Sequence, residues 1–377
     1  MIQRAGIPRL LCAILVTVVC LGVTPSWAAD VKSCLGDLQS WLPPESIQPC
    51  LDVAKSDETK NETKSRIYLQ LAVAQNFAGV MQGLTVEDAR AKTFSFVYAA
   101  IAADPSYEDS YFFAARNYAD LENVHSIARK YLDDGLSANP HSALLGAANA
   151  YYAVPDGEQA RERVAQCDGA IAHAPHDKTV QTLCGKVYFV NGETRKALRA
   201  FRVATVGYRL DQRRIYGVMQ YPNPWFSLAE TYSRLGQSRM AVASLNQYWK
   251  SVPPNMHTAD EYLILGDYLA EAGKFKQAAD QYESAIKLGP MLPVSELKLR
   301  QLFYLSRSGD KNLAHQAADK MFANADKKTV LQLQVALKNA TGSNDPVTGV
   351  FDENTKALLV SCLGSKKCQF STERIHY

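Results

Sequence analysis

The sequence lacks the motifs that mark the common catalytic sites. It contains no G-x-S-x-G, no H-E-x-x-H and no glycine-rich phosphate loop, so nothing in it supports a serine hydrolase, a zinc protease or a nucleotide-binding enzyme. It also has little net charge, only +3 at pH 7. A nearly neutral chain argues against nucleic acid as a main partner. These absences predict a protein that is not an enzyme, with no catalytic residue, no metal site and no cofactor.

The first 28 residues have the order of a secretory signal. Arg4 and Arg9 precede the apolar run 10–23, and Ser26-Trp27-Ala28 follows it. The run is shorter than the roughly 20 residues that span a bilayer, which favours cleavage after Ala28 over an uncleaved anchor. We therefore predict a periplasmic or secreted protein. Its mature chain has a net charge of +1, because two basic residues and no acidic one leave, and it contains no other stretch apolar enough to cross a membrane.

The cysteines point to the same compartment. Of the eight, two lie in the predicted signal and six remain in local pairs, which an oxidising compartment would join as disulfides. Six cysteines permit fifteen connectivities, and proximity in sequence favours the pairs Cys34 with Cys50, Cys167 with Cys184, and Cys362 with Cys368. His173 and His176 lie between the middle two cysteines, where a disulfide is the simpler interpretation than a metal site.

A repeat begins in the second half of the chain. One copy carries an aromatic residue, then small, aromatic and apolar residues at fixed offsets and a closing proline: Trp225, Leu228, Ala229, Tyr232, Ala241, Leu245 and Pro253. The next copy repeats these offsets with Tyr262, Leu265, Gly266, Leu269, Gly273, Ala278, Tyr282, Ala285 and Pro290. A third, upstream, has Gly185, Tyr188, Gly192, Ala197, Phe201 and Ala204. Small residues at these places let two antiparallel helices cross closely, and the glycines end the first helix of each pair.

This pattern resembles the tetratricopeptide repeat proteins, which form helical hairpins in tandem. The resemblance implies an all-α, right-handed α–α superhelix whose first helices line a concave groove for a partner segment. Pro105, Pro140 and Pro175 are spaced 35 residues apart and extend the repeats, in degenerate form, towards the N-terminus. We predict a disulfide-closed segment and linker at 29–63 and repeats at 64–327, best formed at 178–292. Residues 295–325 form one more helix pair that turns at Ser308-Gly309-Asp310.

A basic, tyrosine-rich insertion interrupts the array. Arg195, Arg199 and Arg202 share one helix face because they are spaced four and three apart. About ten extra residues before Pro222 are interpreted as a lengthened helix with a loop. A solvated helix side is the plain interpretation of such a face. The functional one is a partner-binding surface made of Arg195, Arg199, Arg202, Arg209, Arg213, Arg214 and Tyr216.

The last fifty residues have a different character. Leu333-Gln334 and Leu337 precede the turn Thr348-Gly349-Val350-Phe351-Asp352, and Thr355 is predicted to open a helix. The segment resembles the small three-helix peptidoglycan-binding domain, from which Thr348 and Asp352 depart. The resemblance implies a small C-terminal helical domain at 328–377.

Two functions remain open from the sequence. The first is an exported scaffold that binds a protein or peptide of the cell envelope in its concave groove. The alternative is a wall-tethering module in which the tail binds peptidoglycan and the repeats act as a spacer.

Overall fold

The computed structural model describes residues 31–35, 46–81, 83–121, 124–152, 160–208, 223–252, 257–289, 292–366 and 368. Every regular element in these ranges is helical. The predicted signal peptide lies outside them. The described residues form two compact units, and each is described by itself: unit 1 contains those up to Pro140, and unit 2 contains those from His141 onwards.

Unit 1 begins with a disulfide-closed pair of short helices. Its described helices are α1 Val31–Leu35, α2 Ile47–Lys55, α3 Asn61–Met81, α4 Val86–Ala103, α5 Glu108–Arg116 and α6 His125–Ala138, with a π-helical turn at Asn117–Leu121. Helix α3 starts three residues before the position predicted for the first repeat. Cys34 and Cys50 are fully buried in one core with Ile67 and Leu71 of α3, so the N-terminal segment packs on the first long helix.

Unit 2 contains the well-formed repeats. Its described helices are α7 Ala143–Tyr152, α8 Ala160–His173, α9 Lys178–Val190, α10 Thr194–Thr205, α11 Pro224–Arg234, α12 Ser238–Ser251, α13 Ala259–Glu271, α14 Phe275–Leu288, α15 Val294–Ser308, α16 Lys311–Phe322, α17 Lys327–Thr341 and α18 Glu353–Gly364. Consecutive helices α9/α10, α11/α12, α13/α14 and α15/α16 pack as hairpins. The all-α fold of tetratricopeptide-like hairpins is confirmed. The pair α15/α16 turns at Gly309, as predicted.

The ends of these helices follow from their capping residues. Gly236 and Gly273 have φ of +69° and +76°, and each directly follows the C-cap residue of a first helix. At the start of α13, the Thr258 side chain accepts from the Glu261 N–H while Glu261 accepts from the Thr258 N–H. Helix α10 ends at Thr205 and Val206 is already extended, so α10 is not lengthened as predicted. The remaining extra residues, 209–222, lie outside the described residues.

The hairpins α9/α10, α11/α12 and α13/α14 cross where a small residue faces a large one. A Cβ atom added to Gly185 would lie 2.5 Å from the ring of Phe201, and one added to Gly266 would lie 2.7 Å from the ring of Tyr282. The hairpin α11/α12 has Ala229 at the same repeat position as these glycines, and there the large residue is Leu245 instead of an aromatic one. An aromatic side chain on the second helix therefore requires glycine on the first helix, whereas leucine at the same position leaves room for alanine.

The C-terminal helices share a core with the last hairpin. Leu333 and Leu359, from α17 and α18, are fully buried in one cluster with Leu302 and Phe322 of α15 and α16. Lys356 of α18 donates to both Asp319 oxygens of α16 at 2.9 and 3.0 Å. The apolar faces of α17 and α18 are thus covered by the repeat array.

All three cysteine pairs favoured by the sequence lie at disulfide distance. The Cα–Cα separations are 5.3 Å for Cys34 and Cys50, 5.2 Å for Cys167 and Cys184, and 5.2 Å for Cys362 and Cys368. The middle pair joins α8 to α9, so it links the second helix of one hairpin to the first helix of the next.

Candidate functional site

The first helices of successive hairpins in unit 2 contact one another through polar and aromatic side chains. We call this surface the first-helix face and define it by six residues of α9, α11 and α13: Lys186, Phe189, Glu230, Arg234, Tyr268 and Glu271.

Helices α9 and α11 are joined by two cations. Lys186 Nζ donates to Glu230 Oε2 at 2.6 Å, and both side chains are largely buried. Arg234 Nη1 donates to the backbone oxygen of Phe189 at 2.6 Å, while its guanidinium lies 3.5 Å from the centre of the Phe189 ring. The pairing fixes the lateral offset of the two helices. Arg234 remains exposed and makes no ion pair with a described carboxylate.

Helices α11 and α13 meet around Tyr268. Glu271 Oε2 accepts from Ser233 Oγ at 3.3 Å and from Ser238 Oγ at 3.4 Å. Burial raises the pKa of the Tyr268 hydroxyl, and the nearby charges of Glu230 and Glu271 raise it further. The hydroxyl also forms a hydrogen bond with Ser233, so Tyr268 joins α13 to α11 beside two carboxylates.

A hydrogen-bond network links α13 to both α14 and α15. Asp267 accepts from the Tyr282 hydroxyl at 2.5 Å and from the Tyr304 hydroxyl at 3.5 Å. Burial raises the pKa of Tyr282, and its hydrogen bond to Asp267 adds to the effect. These groups satisfy one another within the hairpin stack, so we assign them to packing.

A second guanidinium is presented by α15. Arg307 is half-buried and lies 4.7 Å from the centre of the Phe303 ring, and its buried Nε has no hydrogen-bond acceptor among the described residues. Arg234 and Arg307 each stack on a phenyl ring, which holds the planar cation in place without neutralising it. Such groups can bind carboxylates or backbone carbonyls of a partner. The six residues of the first-helix face include no serine, cysteine or histidine nucleophile.

The residues predicted from the sequence lie elsewhere. Arg195, Arg199 and Arg202 are exposed on α10, the second helix of its hairpin, and make no hydrogen bond or ion pair with another described residue. Their neighbour Lys196 pairs with Asp168 at 2.8 Å, and so it joins α10 to α8. The other members of the predicted basic surface lie outside the described residues: Arg209, Arg213, Arg214 and Tyr216.

Sequence reasoning missed the first-helix face, although a signal for it exists. Lys186, Glu230 and Asp267 each directly follow the small residue that marks the helix crossing, namely Gly185, Ala229 and Gly266. The same repeat position is thus basic, then acidic, then acidic. A charge pattern at equivalent positions of successive repeats indicates lateral contacts between first helices.

The C-terminal turn is organised by one buried side chain. Gln334 Oε1 accepts from the Thr348 and Gly349 N–H groups at 2.9 and 2.8 Å, and its Nε2 donates to the Val350 carbonyl at 3.0 Å and to Thr355 Oγ1 at 2.9 Å. Helix α18 starts at Glu353 with Asp352 as its N-cap, so it begins two residues before Thr355. The turn residues singled out in the sequence are therefore the residues that Gln334 holds together.

Within the described residues, no group of three or more His, Cys, Asp or Glu side chains is arranged to hold a metal ion. None of the described helices combines the length and the apolar character that a membrane span requires.

Comparison with known proteins gives structural likenesses only. No family model matches the chain, and no curated protein sequence matches it. PilW, a type IV pilus biogenesis factor, is 19% identical over 62% of this chain and 98% of its own, with a TM-score of 0.45. PilF of Pseudomonas aeruginosa is 15% identical over 58% of this chain and 91% of its own, with a TM-score of 0.41.

A third similar structure is YrrB, described as a TPR protein with an unusual peptide-binding site. It is 16% identical over 51% of this chain and 91% of its own, with a TM-score of 0.40. At such identities and TM-scores, none of these likenesses carries a conclusion about partner or pathway.

Proposed function

We propose that this chain is an exported scaffold that binds an extended or helical segment of a cell-envelope protein on its first-helix face. The observation that carries the proposal is the exposed guanidinium of Arg234 on this face, which stacks on the Phe189 ring and has no carboxylate partner among the described residues. The next first helix, α15, adds the ring-stacked Arg307 outside the six residues that define the face. These guanidiniums can donate hydrogen bonds to the carboxylates or backbone carbonyls of a peptide. Export is supported by the signal-like N-terminus and by the three cysteine pairs.

A peptide library displayed on phage and selected on the full chain tests this proposal. Selected peptides should bind with affinities in the micromolar range or better, and replacing Arg234 and Arg307 with glutamate should weaken them about tenfold or more. The matched control replaces Arg239 and Lys250, two exposed cations on α12, with glutamate. Equal weakening in both variants, or no selection at all, contradicts the proposal.

The basic face of α10 is proposed as an accessory contact for the same partner. Arg195, Arg199 and Arg202 are exposed and unpaired among the described residues, so they are available to acidic groups. Charge reversal at Arg199 and Arg202 should reduce partner affinity and flatten its dependence on salt. If neither the affinity nor its salt dependence changes, these arginines only form part of a solvent-exposed helix side.

The alternative function, a wall-tethering module, is supported by the turn that Gln334 organises. Its partners are the residues that resemble the peptidoglycan-binding turn. Because α17 and α18 share a core with α15 and α16, deleting residues 328–377 would expose that core and would not be a clean test.

A substitution separates the two functions better. If the tail binds the wall, the full chain should sediment with purified peptidoglycan sacculi, and Gln334→Leu should abolish this while Gln247→Leu on exposed α12 does not. A full chain that stays in the supernatant rules the alternative out.

A further inference from the structure

A second groove lies along the outside of the last two repeats, away from the residues of the first-helix face. It is bounded by the second helices α14 and α16, with part of α15 between them, and has a volume of about 250 Å³. This is below the roughly 300–1,000 Å³ of sites that enclose small molecules, so it fits the anchoring side chains of a partner segment better than a cofactor.

The groove has an apolar floor arranged along the helix axes. Leu313, Ala317 and Met321 are spaced four apart on one face of α16, and Ile286 and Leu305 complete the lining from α14 and α15. The eight helical steps from Leu313 to Met321 correspond to about 12 Å of helix at 1.5 Å per residue. This length matches about two turns of a partner helix with apolar residues at i, i+3 or i+4, and i+7.

Charge is distributed unevenly along the groove. The connections after α14 and α15 are short, so α15 runs antiparallel to both α14 and α16. Lys287 near the end of α14, Lys298 near the start of α15 and Lys320 near the end of α16 therefore lie at the same end. Lys287 pairs with Glu283 at 3.0 Å, whereas Lys298 and Lys320 are exposed and make no ion pair with another described residue.

We propose that this groove, defined by the apolar floor and its lysine end, binds an amphipathic helix of a partner protein whose first turn is acidic. Acidic residues at the start of a helix complement both its own dipole and the two available lysines. The first turn of the partner helix then lies at the lysine end of the groove. Because α14 and α16 have their C-terminal, negative dipole ends there, the partner helix runs antiparallel to both. The site is independent of the first-helix face, so one can fail while the other holds.

Two capped peptides of about four helical turns test the proposal on the full chain by fluorescence anisotropy. Both carry leucines at i, i+4 and i+7, and they differ only in having three glutamates in the first turn or three in the last. The first peptide should bind about threefold to thirtyfold more tightly than the second. Lys298→Glu with Lys320→Glu should remove that preference, and the control Arg239→Glu with Lys250→Glu should retain it.

A substitution on the floor checks the place of binding. Ala317→Phe projects a ring into the groove and should weaken the first peptide at least tenfold, with the helical circular dichroism of the chain unchanged. If that variant unfolds, the lysine reversals still decide, because their side chains are exposed. The proposal is overturned if neither peptide binds, or if both bind the lysine-reversed chain and the native chain equally.

Discussion

Adding one methyl group at Gly266 tests a close helix crossing in the repeats. The new Cβ atom would lie 2.7 and 2.8 Å from two atoms of the Tyr282 ring, where carbon contacts normally settle at about 3.5–4.0 Å. Forcing extra volume into a packed core costs about 1–3 kcal/mol. Alanine is preferred to glycine inside a helix by about 1 kcal/mol. Gly266→Ala should therefore lower the free energy of local unfolding of α13 and α14 by up to about 2 kcal/mol.

The assay is native-state hydrogen exchange of peptides that cover α13 and α14, because an array of hairpins need not unfold in one step. Gly169→Ala on α8 is the control, since nothing lies within 4 Å of its added Cβ atom, and it should stabilise by about 0.5–1 kcal/mol. Combining Gly266→Ala with Tyr282→Leu recreates the arrangement of Ala229 and Leu245, in which the smaller side chain leaves room for alanine. The double variant should therefore lose less stability than the sum of the losses of the two single variants. Equal stabilisation by both alanines would refute the close crossing.

Three further predictions concern the C-terminal helices. Gln334→Leu leaves the turn residues Thr348, Gly349 and Val350 without their buried partner and should destabilise α17 and α18 by about 1–3 kcal/mol in urea unfolding. Lys356→Met removes the hydrogen bonds to Asp319 and should speed hydrogen exchange in α18, with no change in α9. The Thr355 N–H and hydroxyl lower the pKa of Asp352. The ionised Asp352 carboxylate therefore stabilises the folded chain above its unfolded pKa of about 4, and this contribution is lost as pH falls through the lower folded pKa. Asp352→Asn should thus make the melting temperature depend less steeply on pH on the acid side.

The repeats were predictable because their signals are local. Gly236 and Gly273 end first helices through their own backbone conformation, and Ala241 and Ala278 mark crossings within one hairpin. The turn at Gly309 was readable for the same reason. All of these depend on residues fewer than about forty apart whose roles recur at a fixed period.

Contacts that depend on the offset between repeats could not be predicted in the same way. Lys186 and Glu230 are 44 residues apart, and their contact requires the exact lateral position of α9 against α11. The sequence favoured Arg199 and Arg202 instead because i, i+3 and i+4 spacing on one helix is visible without any tertiary information. The shared core of the tail was hidden too, since the apolar faces of α17 and α18 do not indicate which helices cover them.

The central claim is that a partner segment lies on the first-helix face, and site-specific photocrosslinking in cells that produce the chain tests it most directly. A benzoyl-phenylalanine at Phe189 preserves an aromatic ring on that face, and one at Met240, which is 46% exposed on α12, serves as the control. Irradiation should give a discrete adduct with an envelope protein from Phe189, absent from Met240 and lost with Arg234→Glu. The same adducts from both positions, or none from Phe189, would contradict the account.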